Sequence, residues 1–234
     1  MLLVVVSRPL AAKEIVIAVG LSLAPYVISE NGTGMEMDIV REALKQSHHT
    51  MQLRYPPLKQ VPVLYQKGVV DAAMTVTSAF GLDACLTDTV IEYQNFAITR
   101  VKDNIDIKSI EDLSGKNIVA FQNATTYLGD AYKQAVASAN YTEVDNQLLQ
   151  VNLLFAGRTS VVIADKNIFI YYKNRAKGVN TSGALSFHPI FPASPYRVAF
   201  RDAEVCADFN KGLTSLKQSG RYQQIIDYYL QHSL

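Results

Sequence analysis

Residues 14–20, EIVIAVG, crowd short apolar side chains into one run that stops at a glycine, the pattern of a buried strand ending in a turn. The loop that follows carries Pro25 and an Asn31-Gly32 pair, a hairpin signal because both residues tolerate positive φ. Over MEMDIVREALKQS, residues 35–47, apolar positions recur at Met37, Ile39, Val40 and Leu44, a helical period. His48 and His49 fall at the end of that helix, where imidazolium suits the negative end of the dipole; side by side rather than four apart, they do not make a metal pair on one helix face. MQLRYPP (51–57) predicts a second strand, residues 58–68 a short helix closed by Gly68, and VVDAAMTVT (69–77) a third strand. Strands alternating with helices predict an α/β layer on a largely parallel sheet.

After a long strand expected at 93–101 and a polar connector, the plan starts again. Residues 109–139 predict a short helix, a strand from Asn117 to Phe121, a loop and a helix beginning near Thr126. A further helix over 148–157, a strand over 159–165 and a helix over 166–176 complete a second α/β unit. SPYRVAFR (194–201) then reads as a strand, and residues 202–231 as two closing helices, the first capped by Asp202 and the pair separated at Ser219-Gly220. With no strand after them, these helices are expected to pack back on the first unit. The expected organisation is therefore lobe 1 from 13–99 and 194–234, interrupted by lobe 2 over 100–193, with two hinge crossings that support closure around a ligand.

Composition narrows the function. At 234 residues the chain can form two lobes with proper cores, and 49% aliphatic and aromatic against 18% charged residues is a globular balance rather than a disordered one. A formal net charge of +1 without a Lys/Arg block gives no field for nucleic acid. The first twelve residues, MLLVVVSRPLAA, resemble the back half of an export signal; a plain first strand is the alternative, and the run is too short for a bilayer, which needs about 20 apolar residues. Cys85 and Cys206 share no CxxC spacing, so neither zinc nor thioredoxin-like chemistry is indicated; in an exported protein they can pair. Neither a metal nor a cofactor is expected.

Taken in order, IVIAVG, APYVI, GTGMEMDIVREAL, VPVLYQKGVVDAAMTVT, SIEDLSGKNIVAFQNATTYL, VVIADKNIF and SGRYQQIIDYYL resemble the bacterial periplasmic solute-binding proteins of family 3, the amino-acid ABC transporter type. The resemblance covers nearly the whole chain after Lys13. It implies a two-lobed, type II periplasmic-binding fold, each lobe a mixed, mainly parallel sheet flanked by helices. It also implies site residues. Tyr26 stands where an aromatic covers the ligand, with a surface-loop tyrosine as the alternative. Thr75, Val76 and Thr77 stand where the first lobe supplies donors to a ligand carboxylate. Thr125 and Thr126 fall at a helix start, where free N–H groups and the dipole favour an anion, although a plain cap looks identical. Asp165 matches the acid that pairs with a ligand amine, and it also fits an N-cap.

One position departs from the pattern. The resembled proteins follow their Thr-x-Thr with a turn whose arginine grips the ligand α-carboxylate, and here Phe80 stands in register. A bidentate guanidinium is among the strongest carboxylate contacts. Its loss implies either a ligand other than a standard α-amino acid or a substitute cation, for which Arg197 is the candidate. Phe80 is left to wall the site or to pack in the core.

The function implied is capture of a small polar, amino-acid-like solute in an interlobe cleft, by a periplasmic monomer serving an ABC-type permease. A signalling receptor is the alternative partner, since the same module serves as a sensing part. A third reading is an enzyme similar to cyclohexadienyl dehydratases, with Glu36, Glu92 and Asp165 the nearest acids, but no pair of them has a recognisable catalytic spacing and no G-x-S-x-G or HExxH motif is present.

Overall fold

The computed structural model describes residues 12–20, 23–57 and 60–231. Residues 1–11 of the expected export segment lie outside them. In chain order the described elements begin with β1 (Glu14–Ala18), α1 (Met35–Lys45), β2 (Thr50–Arg54), α2 (Val61–Gln66), β3 (Ala72–Val76), β4 (Cys85–Leu86), β5 (Ile91–Tyr93) and β6 (Asn95–Arg100). They continue with β7 (Asn117–Phe121), α3 (Ala124–Tyr127), α4 (Asp130–Val136), β8 (Asn140–Val144), α5 (Gln147–Phe155), β9 (Val161–Asp165) and α6 (Lys166–Arg175). β10 (Leu185–His188), β11 (Ser194–Phe200), α7 (Ala203–Gln218) and α8 (Arg221–Gln231) close the chain.

Two compact units result. The first holds the described residues up to Gly20 together with Tyr26–Ile91 and Pro195–Ile226; the second holds Leu23–Pro25, Glu92–Ser194 and the described residues from Asp227 on. In the first unit the strand order is β2-β1-β3-β11-β4, with β5 beside β11. β1 runs parallel to β2 and β3, while β11 is antiparallel to β3 and β4. In the second the order is β10-β6-β9-β7-β8; β7 is parallel to β8 and β9, and β6 antiparallel to β9 and β10. The strand expected at 93–101 is thus β6, a member of the second sheet.

Burial explains the helices and strands that sequence made visible. α1 turns Met35, Met37, Ile39, Val40, Ala43 and Leu44 inward, and each large apolar side chain removed from water contributes about 1.5–3 kcal/mol. It packs on α7 at Gly212, where a Cβ would lie 2.1 Å from the Ala43 carbonyl oxygen, so only glycine allows this approach. In the second unit β9 is buried along its whole length. Its Val161 and Ile163 join the cluster around Ile118, Ala120 and Tyr132, and its Val162 and Ala164 join the one around Val151, Leu154 and Phe169. Covered faces on both sides are why this stretch is uniformly apolar rather than alternating.

Several local expectations are refined. The helix expected from Thr126 is two pieces: α3 begins at Ala124 and stops after Tyr127, and α4 starts beyond Gly129, whose φ of 86° interrupts the helical path. β4, β8 and β10 were not anticipated. Asp202 caps α7 as expected, accepting the N–H groups of Glu204 and Val205. His48 lies in the turn beyond α1, in a left-handed conformation with φ 61°. Of the closing helices, α7 packs on α1, and the first turn of α8 joins the first unit through the Arg221–Glu42 ion pair at 2.6 Å. Residues from Asp227 on belong to the second unit, where Asn174 Nδ2 donates to the Leu230 carbonyl at 2.6 Å. Cys85 and Cys206 are joined in a disulfide that ties β4 to α7 within the first unit.

Candidate functional site

In the first unit the residues of interest gather at the carboxyl ends of β1 and β3. Ile28 and Thr33 exchange main-chain hydrogen bonds of 2.7 and 3.2 Å, the hairpin that Asn31-Gly32 foreshadowed. Gly34 then passes so close to Tyr26 that a Cβ would sit 2.3 Å from the Tyr26 carbonyl oxygen, and its φ of 133° is one that only glycine adopts freely. This close passage lets the Glu36 N–H donate to the same carbonyl at 3.1 Å. The Tyr26 side chain is fully buried, not lying on a loop surface.

Glu36 opens α1, and its carboxylate is also fully buried. The Thr75 hydroxyl lies 3.0 Å from both of its oxygens. Thr75 holds φ at 57°, a left-handed backbone that is costly for a β-branched residue, by about 1–3 kcal/mol. Val76 is buried and pairs with Arg197 across β3 and β11. Thr77 is extended; its carbonyl accepts the Phe80 N–H at 3.1 Å as the chain enters a 3-10 turn over Ser78–Phe80. Tyr26, Glu36, Thr75, Val76, Thr77 and Arg197 are therefore linked, contact by contact, at one sheet edge.

Phe80 and Arg197 answer the question of the missing guanidinium in part. Phe80 packs against the cluster of Ala18, Val61, Tyr65, Val70 and Ala73. Arg197 is half-buried, and its Nη1 donates to the Thr87 carbonyl of the same unit.

In the second unit the carboxyl ends of β7, β8 and β9 share one edge. There Thr125 and Thr126 lie in the short α3, whose start faces a carboxylate of the protein itself. Glu143, on β8, accepts the Asn123 N–H at 2.7 Å and, through its other oxygen, the Thr125 N–H at 3.0 Å and the Thr125 hydroxyl at 3.1 Å. The Tyr141 hydroxyl adds a fourth bond of 2.7 Å. Burial pushes the Glu143 carboxyl up, but the Thr125 N–H, the Tyr141 hydroxyl and the remaining donors outweigh it and hold the group below its ordinary range. Burial, the Tyr132 contact and the Glu143 bond all push the Tyr141 phenol far above its usual value, so it stays a donor. Thr126 is exposed, and its N–H turns back to the Asn123 carbonyl at 3.0 Å.

Asp165 ends β9 and caps α6. One oxygen accepts the N–H groups of Asn167 and Ile168 at 2.9 and 3.0 Å, and the other accepts the Gln94 N–H at 2.9 Å. The residue is 7% exposed. Glu92, the third acid considered from sequence, is exposed on β5. Glu143 is the residue that sequence reasoning missed, because the strand carrying it, NYTEV, shows no apolar alternation. Among the described residues no group of three or more His, Cys, Asp or Glu is arranged to hold a metal ion.

The sequence matches the bacterial extracellular solute-binding proteins, family 3, over residues 15–232, and the chain belongs to that family. No curated protein sequence matches it significantly. Solved structures agree on the fold. An ancestral cationic amino acid solute-binding protein is 20% identical, with 93% of this chain and 96% of that one covered and a TM-score of 0.73. The second substrate-binding domain of Lactococcus lactis GlnP, in open conformation, is 21% identical over 94% and 97% of the two chains, TM-score 0.71. The L-cystine solute receptor of Neisseria gonorrhoeae, unliganded and open, is 15% identical over 95% and 94%, TM-score 0.70. The fold is thus that of the two-lobed, type II periplasmic-binding proteins.

Proposed function

We propose that the chain is an extracytoplasmic receptor that captures one small polar solute and delivers it to an ABC-type membrane transporter. The observation that carries this reading is family membership across both units. The Cys85–Cys206 disulfide supports a periplasmic location, because such bonds persist in oxidising compartments and are rare in the cytosol. In this reading the candidate contacts lie at the carboxyl edge of each sheet, where ligands of α/β folds gather. Thr75, Val76 and Thr77 with Tyr26 are the first unit's candidates and Asp165, Thr125 and Thr126 the second's, with the Thr125 donors engaged by Glu143 and the Thr126 N–H by the Asn123 carbonyl. Arg197 is the first unit's reserve of positive charge. A solute that binds one conformation better than another shifts the population toward it, which gives the transporter a state to recognise.

Titration calorimetry against amino acids, amines, small acids and short peptides tests the proposal. One-to-one binding of at least one solute is expected. Silence across the whole panel contradicts it.

A further inference from the structure

β3 ends in an irregularity. Its pairing with β11 runs Phe200 to Ala72 and Ala199 to Ala73, then shifts to Arg197 opposite Val76, so that Met74 and Thr75 together face the single residue Val198. Such a bulge bends its strand and re-aims the residues around it, and bulges gather beside functional sites. Thr75 is where the bulge is costly: its φ is 57°, a conformation that β-branched residues avoid and keep only where their surroundings hold them in it. A contact reaches it from outside the sheet. Glu36 is fully buried in the first turn of α1, and each of its carboxylate oxygens lies 3.0 Å from the hydroxyl of Thr75, 39 residues further along the chain. Glu36 is itself anchored, because its N–H donates to the Tyr26 carbonyl at 3.1 Å beside the close passage of Gly34. A hydroxyl has one proton, and here Glu36 takes it, so none remains for a solute carboxylate. What Thr75 can donate to a solute therefore comes from its main chain, and the main chain is what the bulge sets.

We propose that Glu36 is a positioning residue for the first unit's edge: its buried carboxylate holds Thr75 in the left-handed conformation, and the bulge so fixed presents the main chain of Thr75–Thr77 to the solute. This rests on the solute-binding reading above and adds the residue that prepares its first-unit candidates. Glu36 meets no solute itself. It acts through Thr75, from the core side of the edge.

The test reads conformation and affinity separately in the full chain. The carbon-13 shifts of Thr75 Cα and Cβ report its backbone conformation in the parent, in Glu36→Gln, which keeps an acceptor for the hydroxyl, and in Glu36→Leu, which removes it. Left-handed values are expected in the first two and extended values in Glu36→Leu. Calorimetry with amino acids, amines, small acids and short peptides reads the consequence. The solute that binds the parent is expected to bind about tenfold or more weakly to Glu36→Leu, and Glu36→Gln to recover most of that loss. In a chain already carrying Thr75→Gly, which takes the left-handed conformation unaided, Glu36→Leu should weaken the solute far less. If Glu36→Leu does not fold, Thr75→Val breaks the same bond from its other end and should weaken the solute more than Thr75→Ser, which keeps the hydroxyl. Left-handed shifts that persist in Glu36→Leu overturn the proposal, as does an affinity that falls equally in Glu36→Gln and Glu36→Leu or in neither. If the parent binds nothing across the panel, the receptor reading fails and takes the solute half of the proposal with it; the Thr75 shifts then judge the hold of Glu36 alone.

Discussion

Asp165 and Glu143 do similar work with different legibility. Asp165 announced itself as the last residue of an apolar strand followed by a helix, and both roles weighed for it from sequence begin from that position. The structure supplies the cap, with three main-chain N–H groups on one carboxylate. Removing the side chain in Asp165→Ala should cost about 1–2 kcal/mol of stability for the lost cap. It should also weaken a cationic solute by about 1.5–3 kcal/mol, the scale of a hydrogen bond to a charged group. Asp165→Asn separates the two effects: it retains an acceptor for α6 and loses the charge. Denaturant midpoints should fall less for Asn than for Ala, while calorimetric affinity should fall comparably for both. Equal affinity in all three proteins would leave Asp165 a cap alone.

Glu143 was invisible because its partners are Tyr141 on its own strand and the Asn123–Thr125 turn far away in sequence, and no periodic pattern marks it. Its folded carboxyl lies below the ordinary 4.5. A depressed acid stabilises the fold fully above its unfolded value, and the contribution is lost as pH falls through the lower folded one. Glu143→Gln should therefore be less stable than the parent at neutral pH, with the gap closing as the pH is lowered below 4.5. Urea midpoints of both proteins measured over the acid range provide the check. A gap that stays constant with pH would mean that the charge contributes nothing.

At the scale of elements, the segments legible in the sequence are those whose burial is asymmetric or complete. α1 showed its period because one face is buried and packs on α7, and β9 showed itself because both faces are covered. β8 and β10 did not, because their residues are half-buried or exposed and their conformation is set by pairing with β7 and β6. The two-residue β4 has no pattern to read, yet it carries Cys85. Its disulfide to Cys206 closes a loop with a sequence separation of 121 that contains Glu92–Ser194, the main segment of the second unit. A cross-link of this kind limits the unfolded chain, and its removal typically costs about 2–5 kcal/mol. Replacing both cysteines by serine should lower the denaturation midpoint accordingly, and reductant should then have no further effect on the double variant. A double variant as stable as the parent would mean that the bridge is dispensable for folding.

For the whole molecule, the order of strands and helices was enough to place the chain in its family, because ordered spacing survives where single motifs do not. The candidate site was only half legible. Phe80 departs from the resembled pattern in the sequence alone, but the bonding of the Glu143 carboxylate to Asn123 and Thr125 required a three-dimensional pairing between β8 and the turn after β7. Native mass spectrometry of the chain, incubated with the amino acids, their decarboxylated amines, small acids and short peptides together, tests the account most directly. It predicts a one-to-one complex whose added mass is that of one small polar solute. A chain that emerges bare from the whole mixture would contradict it.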